Sequence, residues 1–422
     1  MFDSAFQDGV KRPGTLEMTV MLAALMALNS LAIDAMVPAL PDIGRSLRVV
    51  HENRQQLVVI VYFAGFGSTQ LVWGPLADRF GRKPILAAGV ILYSLFALLC
   101  GTAWSFPVLI AARFCQGASA AVTRVLVIAM VRDLFESEEM ARVMSLVSMV
   151  FMVMPVVAPN LGQLILLLAG WQAIFLVLAG YGIAMLGWSW VRLPETLHPK
   201  YKRSLHIAEI GRAVRATVTD PLSRGYTVAL TVSSGCLIAY ISSIQQIVAD
   251  GFHEGRYIGL VFAAVAAPMA LASWTNSRVV GRLGLRRVGH VASAAFALIA
   301  IAHLALALAG DETLASFILL QALTMCCFAF TSATLSTLAM TNMAAIAGTA
   351  SSVQGIVWTI GGAAIGFLIG SAFNGTVIPF LLGTAGCAVV GFIGVVLTEP
   401  KRLFAPMAPQ PQLELGDPDD LC

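Results

Sequence analysis

The sequence predicts an all-α membrane protein whose twelve transmembrane helices form two pseudo-symmetric six-helix halves. The composition supports this class, because charged residues make up 12% of the chain and apolar residues 58%, whereas soluble domains carry about 25% charged residues. Apolar stretches of about 18 or more residues, long enough to cross a bilayer as helices, recur along the chain. A short basic turn containing glycine also occurs once in each half, which indicates an internal repeat.

Long apolar stretches define the predicted spans, because backbone polar groups inside a bilayer must be paired within helices or closed barrels. In the first half the spans are predicted at 16–39, 54–76, 84–104, 106–132, 140–169 and 171–192. In the second half they are predicted at 224–248, 256–280, 288–309, 313–340, 346–373 and 376–397. The domains that follow are an N-terminal half at 1–192, a cytoplasmic linker at 193–223, a C-terminal half at 224–400 and a disordered cytoplasmic tail at 401–422.

The basic residues predict the orientation in the membrane. Most of the 26 lysines and arginines fall in predicted loops on one side, and such loops face the cytoplasm. We therefore expect a multi-pass protein of a bacterial-type inner membrane with both termini in the cytoplasm. This orientation explains the net charge of +3 without a nucleic-acid partner. The seven cysteines lie mostly in apolar spans and are expected to be packing residues.

The turn between predicted spans 2 and 3 concentrates charge at one membrane face, between two segments that carry none. Its notable residues are Gly74, Asp78, Arg79, Gly81, Arg82 and Lys83. A related turn, with Gly284, Arg286 and Arg287, follows predicted span 8 but lacks a counterpart of Asp78. Basic loops are common in membrane proteins, but the shared glycine spacing favours a true repeat.

Asp34 is the one carboxylate predicted to lie well inside a span. Burial away from water disfavours the charged form of an acid, so a carboxyl at this depth is a candidate for binding and releasing a proton. The alternative is an acid near the membrane edge that snorkels or caps a helix, since Pro38 and Pro41 mark the end of span 1 nearby.

Two arginines lie within predicted span 4. Arg113 lies as far from the outer membrane face as Asp34, roughly 10 Å, which makes it a candidate partner of that acid. The alternative is a structural arginine bonded to backbone carbonyls. Arg124 follows on the same helix, only about 20° away around its axis, so both are expected to face the same way. Arg124 either attracts an anionic substrate group or pairs with the carboxyl end of another helix.

Span 5 and several polar or aromatic side chains complete the candidate set. Pro155 and Pro159 bend span 5 and Gly162 allows another helix to approach closely, so span 5 is a candidate seal against leak; a tolerated kink is the alternative. The candidate residues of a substrate cavity are Tyr62, Phe66, Gln70, Gln116, Arg124, Tyr240, Gln354 and Trp358. A mostly apolar cavity suits amphiphilic compounds, although a lone glutamine in a span often only bonds neighbouring helices.

The turn at 74–83 resembles the loop signature of the major facilitator superfamily. Arg113, Gln116 and Gly117 resemble the R-x-x-Q-G pattern of its drug:proton antiporters. Further segments resemble the Bcr/CflA bicyclomycin-resistance subfamily, and they lie at 34–41, 131–134, 158–162, 170–175, 240–243 and 347–352. The sequence departs from the subfamily at Met36 and Val37, after Ser243, and in span 5.

The resemblance implies the major facilitator fold and a proton-coupled secondary transporter that exports small amphiphilic compounds or drugs by alternating access. It also implies that Asp78 binds the positive end of span 11. We expect a monomer whose partners are protons, a small-molecule substrate and the lipid bilayer, with no cofactor. No nucleotide-binding or metalloprotease pattern indicates an enzyme. The alternative function is a proton-coupled importer of a small metabolite, which Arg113 and Arg124 would suit if it were anionic; a channel is less favoured.

Overall fold

The computed structural model describes residues 14–135, 137–197, 207–400 and 403–404. The helices are α1 (Thr15–Asp34), α2 (Leu40–Ser46), α3 (Leu57–Phe80), α4 (Arg82–Gly101), α5 (Phe106–Leu134), α6 (Ser137–Ala169), α7 (Trp171–Arg192), α8 (Ile207–Thr219), α9 (Pro221–Gln246), α10 (Ile258–Leu283), α11 (Leu285–Ala309), α12 (Leu314–Ala339), α13 (Ala347–Ser371) and α14 (Ile378–Thr398). Eleven helical stretches are long and apolar enough to cross a membrane, and α6 contains a further apolar segment at Val153–Ala169. No strand occurs among the described residues. The predicted all-α membrane protein with twelve spans is confirmed.

The two halves repeat one packing scheme. In the first half, α3 packs against α5, α4 against α5 and α7, and α1 against α6 and α7. In the second half, α10 packs against α12, α11 against α12 and α14, and α9 against α13 and α14. Each pairing of the first half therefore recurs between the helices that hold the same place in the second half. The prediction of two pseudo-symmetric six-helix halves is confirmed.

A glycine with positive φ separates the second and third membrane helices of each half. Gly81 (φ 105°) lies between α3 and α4, and Gly284 (φ 83°) lies between α10 and α11. Residues with a Cβ rarely adopt this backbone conformation. At Gly81 an added Cβ would also lie 2.5 Å from Glu195 Oε2. The shared glycine thus ends one helix and begins the next in both halves.

The helix boundaries differ from the predicted spans in two informative ways. The charged turn after span 2 is mostly helical, because α3 continues to Phe80 and only Gly81 separates it from α4. The predicted linker contains α8, which packs against α9 and α13. In α8, Ala213 and Thr217 are buried while Arg212 and Arg215 are exposed, so the helix is amphipathic. Nearly all of the predicted tail lies outside the described residues.

We call the membrane face at which α3 ends and α4 begins the basic face, because it carries Arg79, Arg82 and Lys83. The other face is called the opposite face. Ion pairs join helix ends at the basic face of each half. Arg192 donates two hydrogen bonds of 2.6 Å to the carboxylate of Glu17, which joins α7 to α1. Arg286 donates bonds of 2.7 and 3.0 Å to Glu399, which joins α11 to the end of α14.

Candidate substrate and proton site

Three amide side chains join the two halves at the opposite face. We call Asn53, Gln56 and Gln246 the amide cluster. Asn53 Nδ2 donates to the backbone oxygens of Ser371 (3.0 Å) and Phe373 (2.9 Å), which follow the body of α13. Gln56 Nε2 donates to the backbone oxygen of Gly370 at 3.1 Å and also to Gln246 Oε1. Gln246 Nε2 in turn donates to Asn53 Oδ1 at 3.0 Å. The halves are therefore latched together at this face.

Polar contacts between the halves become sparse toward the basic face. Near the middle of the bundle, Gln70 Nε2 on α3 donates to Thr359 Oγ1 on α13 at 3.3 Å. Between there and the basic face, no hydrogen bond joins the two halves among the described side chains. The described conformation is thus sealed by hydrogen bonds at the opposite face and in the middle.

Asp34 lies where α1 breaks, at the interface between the halves. It is the last residue of α1 and is 3% exposed, and a short 3₁₀ helix containing Pro38 follows it. Within the described part of the chain, no hydrogen bond or ion pair reaches its carboxyl group. Val37, three residues after Asp34, packs in one apolar cluster with Tyr240 of the second half. The Tyr240 hydroxyl is buried, and no hydrogen-bond partner for it occurs among the described residues.

Arg113 is fully buried inside the first half and does not pair with Asp34 in the described structure. Its Nε donates to Val58 O (3.0 Å) and its Nη2 to Ala32 O (3.1 Å). Its Nη1 donates to Gln116 Oε1 at 2.8 Å. The expected ion pair is therefore not formed, and Arg113 takes the alternative of bonding to backbone carbonyls, because the planar guanidinium fork matches these acceptors.

Aromatic rings enclose the Arg113 guanidinium. Its carbon lies 4.4 Å from the ring centre of Tyr62 and 5.7 Å from that of Phe175. The Tyr62 hydroxyl donates to Asn29 Oδ1 at 3.3 Å, and Asn29 Nδ2 donates to Thr123 Oγ1 at 2.7 Å. This network links α1, α3 and α5 on the side of Asp34 that faces the basic face. Because Arg113 contacts the Tyr62 ring of this network and bonds Ala32 O, it can influence Asp34 by holding α1 and α3 in place.

Arg124 faces the second half instead of the core of its own half. Its guanidinium carbon lies 5.5 Å from the ring centre of Trp358 on α13, a cation–π contact between the halves. No hydrogen bond or ion pair to Arg124 is present among the described residues. The two arginines have different partners, because Arg113 bonds to α1 and α3 while Arg124 contacts α13. The alternative of pairing with a helix carboxyl end is not observed.

The remaining cavity candidates separate into two groups. Phe66 stacks with Tyr62 at 6.5 Å, and Tyr240 packs against Phe262 at 5.5 Å, both beside the interface between the halves. Gln116, by contrast, is fully buried inside the first half. Gln354 bonds Ser223 Oγ and Ala339 O within the second half. Gln354 therefore bonds a neighbouring helix, which is the alternative that the sequence left open, whereas Gln116 accepts from Arg113 of its own helix and from Cys100 of α4.

The prolines and glycine of span 5 lie in α6 beside the break in α1. Pro155 and Pro159 are inside the helix. An added Cβ at Gly162 would lie 1.7 Å from the backbone oxygen of Ala35, so only glycine permits this approach to the residue that follows Asp34. Asn160 Nδ2 also donates to Gly259 O on α10 at 3.4 Å. This segment of α6 thus touches both the break in α1 and the other half.

The charged turn forms an ion-pair chain within the first half. Arg82 binds Asp78 at 2.9 Å and Asp133, at the end of α5, at 3.3 Å. Among the described residues Asp78 makes no hydrogen bond or ion pair with the start of α13, so its expected binding to span 11 is not seen in this conformation. Glu195 instead accepts hydrogen bonds from the backbone amides of Arg82 (2.9 Å) and Lys83 (3.2 Å), where a helix favours an anion.

Sequence reasoning overlooked Asp133 and Glu195 as partners of this turn. Asp133 lies in segment 131–134, which carries part of the family resemblance, but its partner Arg82 comes from a distant helix. Glu195 and Glu399 lie just after the last helix of each half. Glu195 binds the start of α4 and Glu399 the start of α11, which are the third membrane helices of the two halves. An acid just after the last span of each half is therefore the sequence signal that could have identified these partners. Arg79 and Lys83 rest on the rings of Phe80 and Trp190 at 5.2 Å each.

Comparison with known proteins identifies the class. Residues 22–366 match the family model of the Major Facilitator Superfamily. The chain therefore belongs to this superfamily of membrane transporters. It is similar to the "Bicyclomycin resistance protein homolog" of Haemophilus influenzae, with 31% identity over 90% of this chain and 96% of that protein.

Further relatives agree with this class. The chain is 28% identical to "Multidrug resistance protein MdtL" of Klebsiella pneumoniae over 90% of this chain and 95% of that protein. It is 34% identical to "Multidrug resistance protein D" of Escherichia coli over 44% of this chain and 47% of that protein. Its fold is similar to the crystal structure of the human organic anion transporter MFSD10, with a TM-score of 0.63, 16% identity, and coverage of 91% of this chain and all of that one.

Proposed function

We propose that this transporter exports small amphiphilic compounds, including drugs, in exchange for protons by alternating access. One observation carries the proposal: Asp34 is a carboxyl buried at the interface between the halves, without a described hydrogen-bond or ion-pair partner. A group in this position changes its surroundings whenever the halves move, so proton binding and conformation are linked. The names of the relatives, which refer to bicyclomycin and multidrug resistance, favour export over import.

The latch at the opposite face supports the alternating-access part of this proposal. If the basic face is cytoplasmic, as the distribution of lysine and arginine predicts, the described conformation is closed toward the outside of a bacterial-type inner membrane. A substrate would then enter between the halves from the cytoplasm. Outward release requires the amide cluster to separate and the halves to close at the basic face, where the ion-pair chain of Asp78, Arg82 and Asp133 lies.

We propose that the protein binds and moves its substrate without a chemical step. We propose a monomer, since each copy of the chain holds both halves and the interface between them. The partners are then protons, one small molecule at a time, and the surrounding lipid.

The test uses purified protein in liposomes with an imposed pH gradient and a panel of amphiphilic compounds. We expect uptake of at least one compound against its gradient into vesicles whose lumen is acidic, and loss of this uphill transport in Asp34→Asn. The amide keeps the shape of the protonated acid, so binding should survive. Substrate-induced proton release in detergent should also vanish in this variant. Full proton release from Asp34→Asn would remove Asp34 from the mechanism.

Arg113→Gln tests whether Arg113 only supports the site structurally or also takes part in proton release. We expect it to bind substrate more weakly and to lose stability, since three hydrogen bonds and two ring contacts are removed. Proton release should persist in the folded fraction, because Arg113 does not contact Asp34 directly. Complete loss of proton release in folded Arg113→Gln would instead indicate that the two groups pair in another conformation.

A further inference from the structure

The described membrane interior contains two opposite charges that no protein group neutralises. Asp34 has no hydrogen bond or ion pair among the described residues. Arg124 contacts the ring of Trp358 but has no described acidic or carbonyl partner. Arg113 differs from both, because its donors are occupied. An unpaired charge as buried as Asp34 is costly, and Arg124 is partly exposed, so a ligand that pairs with both groups gains most at the acid.

Both unpaired charges lie where the two halves meet. Asp34 ends α1 just before the short 3₁₀ helix Val37–Ala39, which packs against α9 of the second half, and Val37 shares an apolar cluster with Tyr240 of α9. Arg124 projects from α5 onto Trp358 of α13. A molecule held between the halves can therefore contact both charges.

The helices set the distance between the two charges. Asn29 on α1 bonds Thr123 on α5, so these residues are level, and Arg124 is the next residue after Thr123. Asp34 follows Asn29 by five residues, which is a rise of about 7.5 Å along the helix. With the extent of the two side chains included, the charges are on the order of 10 Å apart. This exceeds the spacing in an α-amino acid and fits an elongated molecule with a charge at each end.

We propose that the preferred substrates are elongated amphiphilic zwitterions, whose cationic end binds Asp34 and whose carboxylate or similar anion binds Arg124. This inference rests on the proposed export function and names its substrate class. The Trp358 ring holds the guanidinium plane in place, and a guanidinium can bind a carboxylate through two parallel hydrogen bonds. A cation beside Asp34 favours the ionised acid, so binding of such a substrate expels the proton, as exchange requires.

The experiment compares three probes of one size. Norfloxacin carries a carboxylate and a piperazine ammonium group at opposite ends of a flat ring system. Its ethyl ester keeps only the cation, and its N-acetyl derivative keeps only the anion. We expect the unmodified protein in detergent to bind norfloxacin about tenfold or more tightly than either derivative. Each derivative loses one charged contact, and the loss of a hydrogen bond to a charged group weakens binding by about this factor or more.

Variants of Arg124 assign the anionic end. Arg124→Gln should abolish the preference for norfloxacin over its ester and leave the affinity for the ester unchanged. Arg124→Lys should keep part of the preference, because it retains the charge without the planar fork. Arg132→Gln, at an exposed position near the basic end of the same helix, is the matched control and should bind like the parent.

Three results would overturn the proposal: equal affinity of the unmodified protein for norfloxacin and its ester, equal weakening of both by Arg124→Gln, or no binding of any probe. The comparison on the unmodified protein needs no variant and stands even if Arg124→Gln does not fold. Proton-driven export of the ester without a preference for the zwitterion would overturn the substrate class and leave the proposed function intact. Proton-independent movement of every compound in the liposome panel would instead refute the proposed function.

Discussion

The amide cluster at the opposite face gives the most direct test of how the halves separate. Asn53→Ala removes three described hydrogen bonds between the halves: those to Ser371 O, to Phe373 O and from Gln246 Nε2. Side-chain hydrogen bonds between membrane helices contribute on average about 0.6 kcal/mol each. The three together would then favour the latched state by about 1.8 kcal/mol, and since 1.4 kcal/mol is a tenfold change, the open population should rise about 20-fold.

The measurement is the distance between spin labels on the two halves at the opposite face. Val50 in the first half is 87% exposed, and Asp311 in the second half is also exposed, so both accept a label in a cysteine-free background. We expect the long-distance population to grow in Asn53→Ala. Asn374→Ala is the matched control, because Asn374 lies at the same face but its described bonds go to Thr376 in its own half.

An unchanged distance distribution in Asn53→Ala would refute the reasoning, as would an equal shift in Asn374→Ala. The first result would mean that apolar packing between the halves decides the equilibrium. The second would mean that any change at this face loosens the structure.

Three further predictions concern packing and charge. Gly162→Ala should lower the free energy of unfolding by about 1–3 kcal/mol through overpacking, because the new Cβ meets Ala35 O at 1.7 Å. Gly180→Ala is the control, because its Cβ meets nothing within 4 Å; equal melting temperatures of the two variants would contradict the prediction. Asp78→Asn should keep the fold, since its partly exposed pair with Arg82 is worth less than about 1 kcal/mol, yet slow transport by changing the balance of conformations; unchanged transport at equal protein amount is the contrary result. Glu399→Gln should destabilise the protein by about 3–5 kcal/mol, because it leaves the buried Arg286 charge unpaired, a loss detectable as a lower melting temperature in detergent.

The sequence by itself determined the class of this protein. Twelve apolar stretches must become helices in a bilayer, because no other backbone arrangement of this length satisfies its hydrogen bonds there. The basic turn with its glycine identified the repeat, since Gly81 and Gly284 both need a positive φ that other residues avoid. Asp34 was also identifiable, because a carboxyl within an apolar span is conspicuous without any structure. These features are local, and local features can be read from neighbouring residues.

Only the tertiary structure decided the partners of the charged residues. The sequence placed Arg113 at the depth of Asp34, but the helix packing directs its donors to the carbonyls of Val58 and Ala32. Arg113 and Arg124 lie on nearly the same side of α5 but have different surroundings. Near Arg113 the helix borders α1 and α3 of its own half, and near Arg124 it borders α13 of the other half. The amide cluster escaped sequence analysis, since Asn53 and Gln56 meet Gln246 only in the folded protein, across 190 residues of chain. Hydrogen bonds and ion pairs depend on distances of a few ångströms between segments far apart in the chain, and no local pattern fixes them.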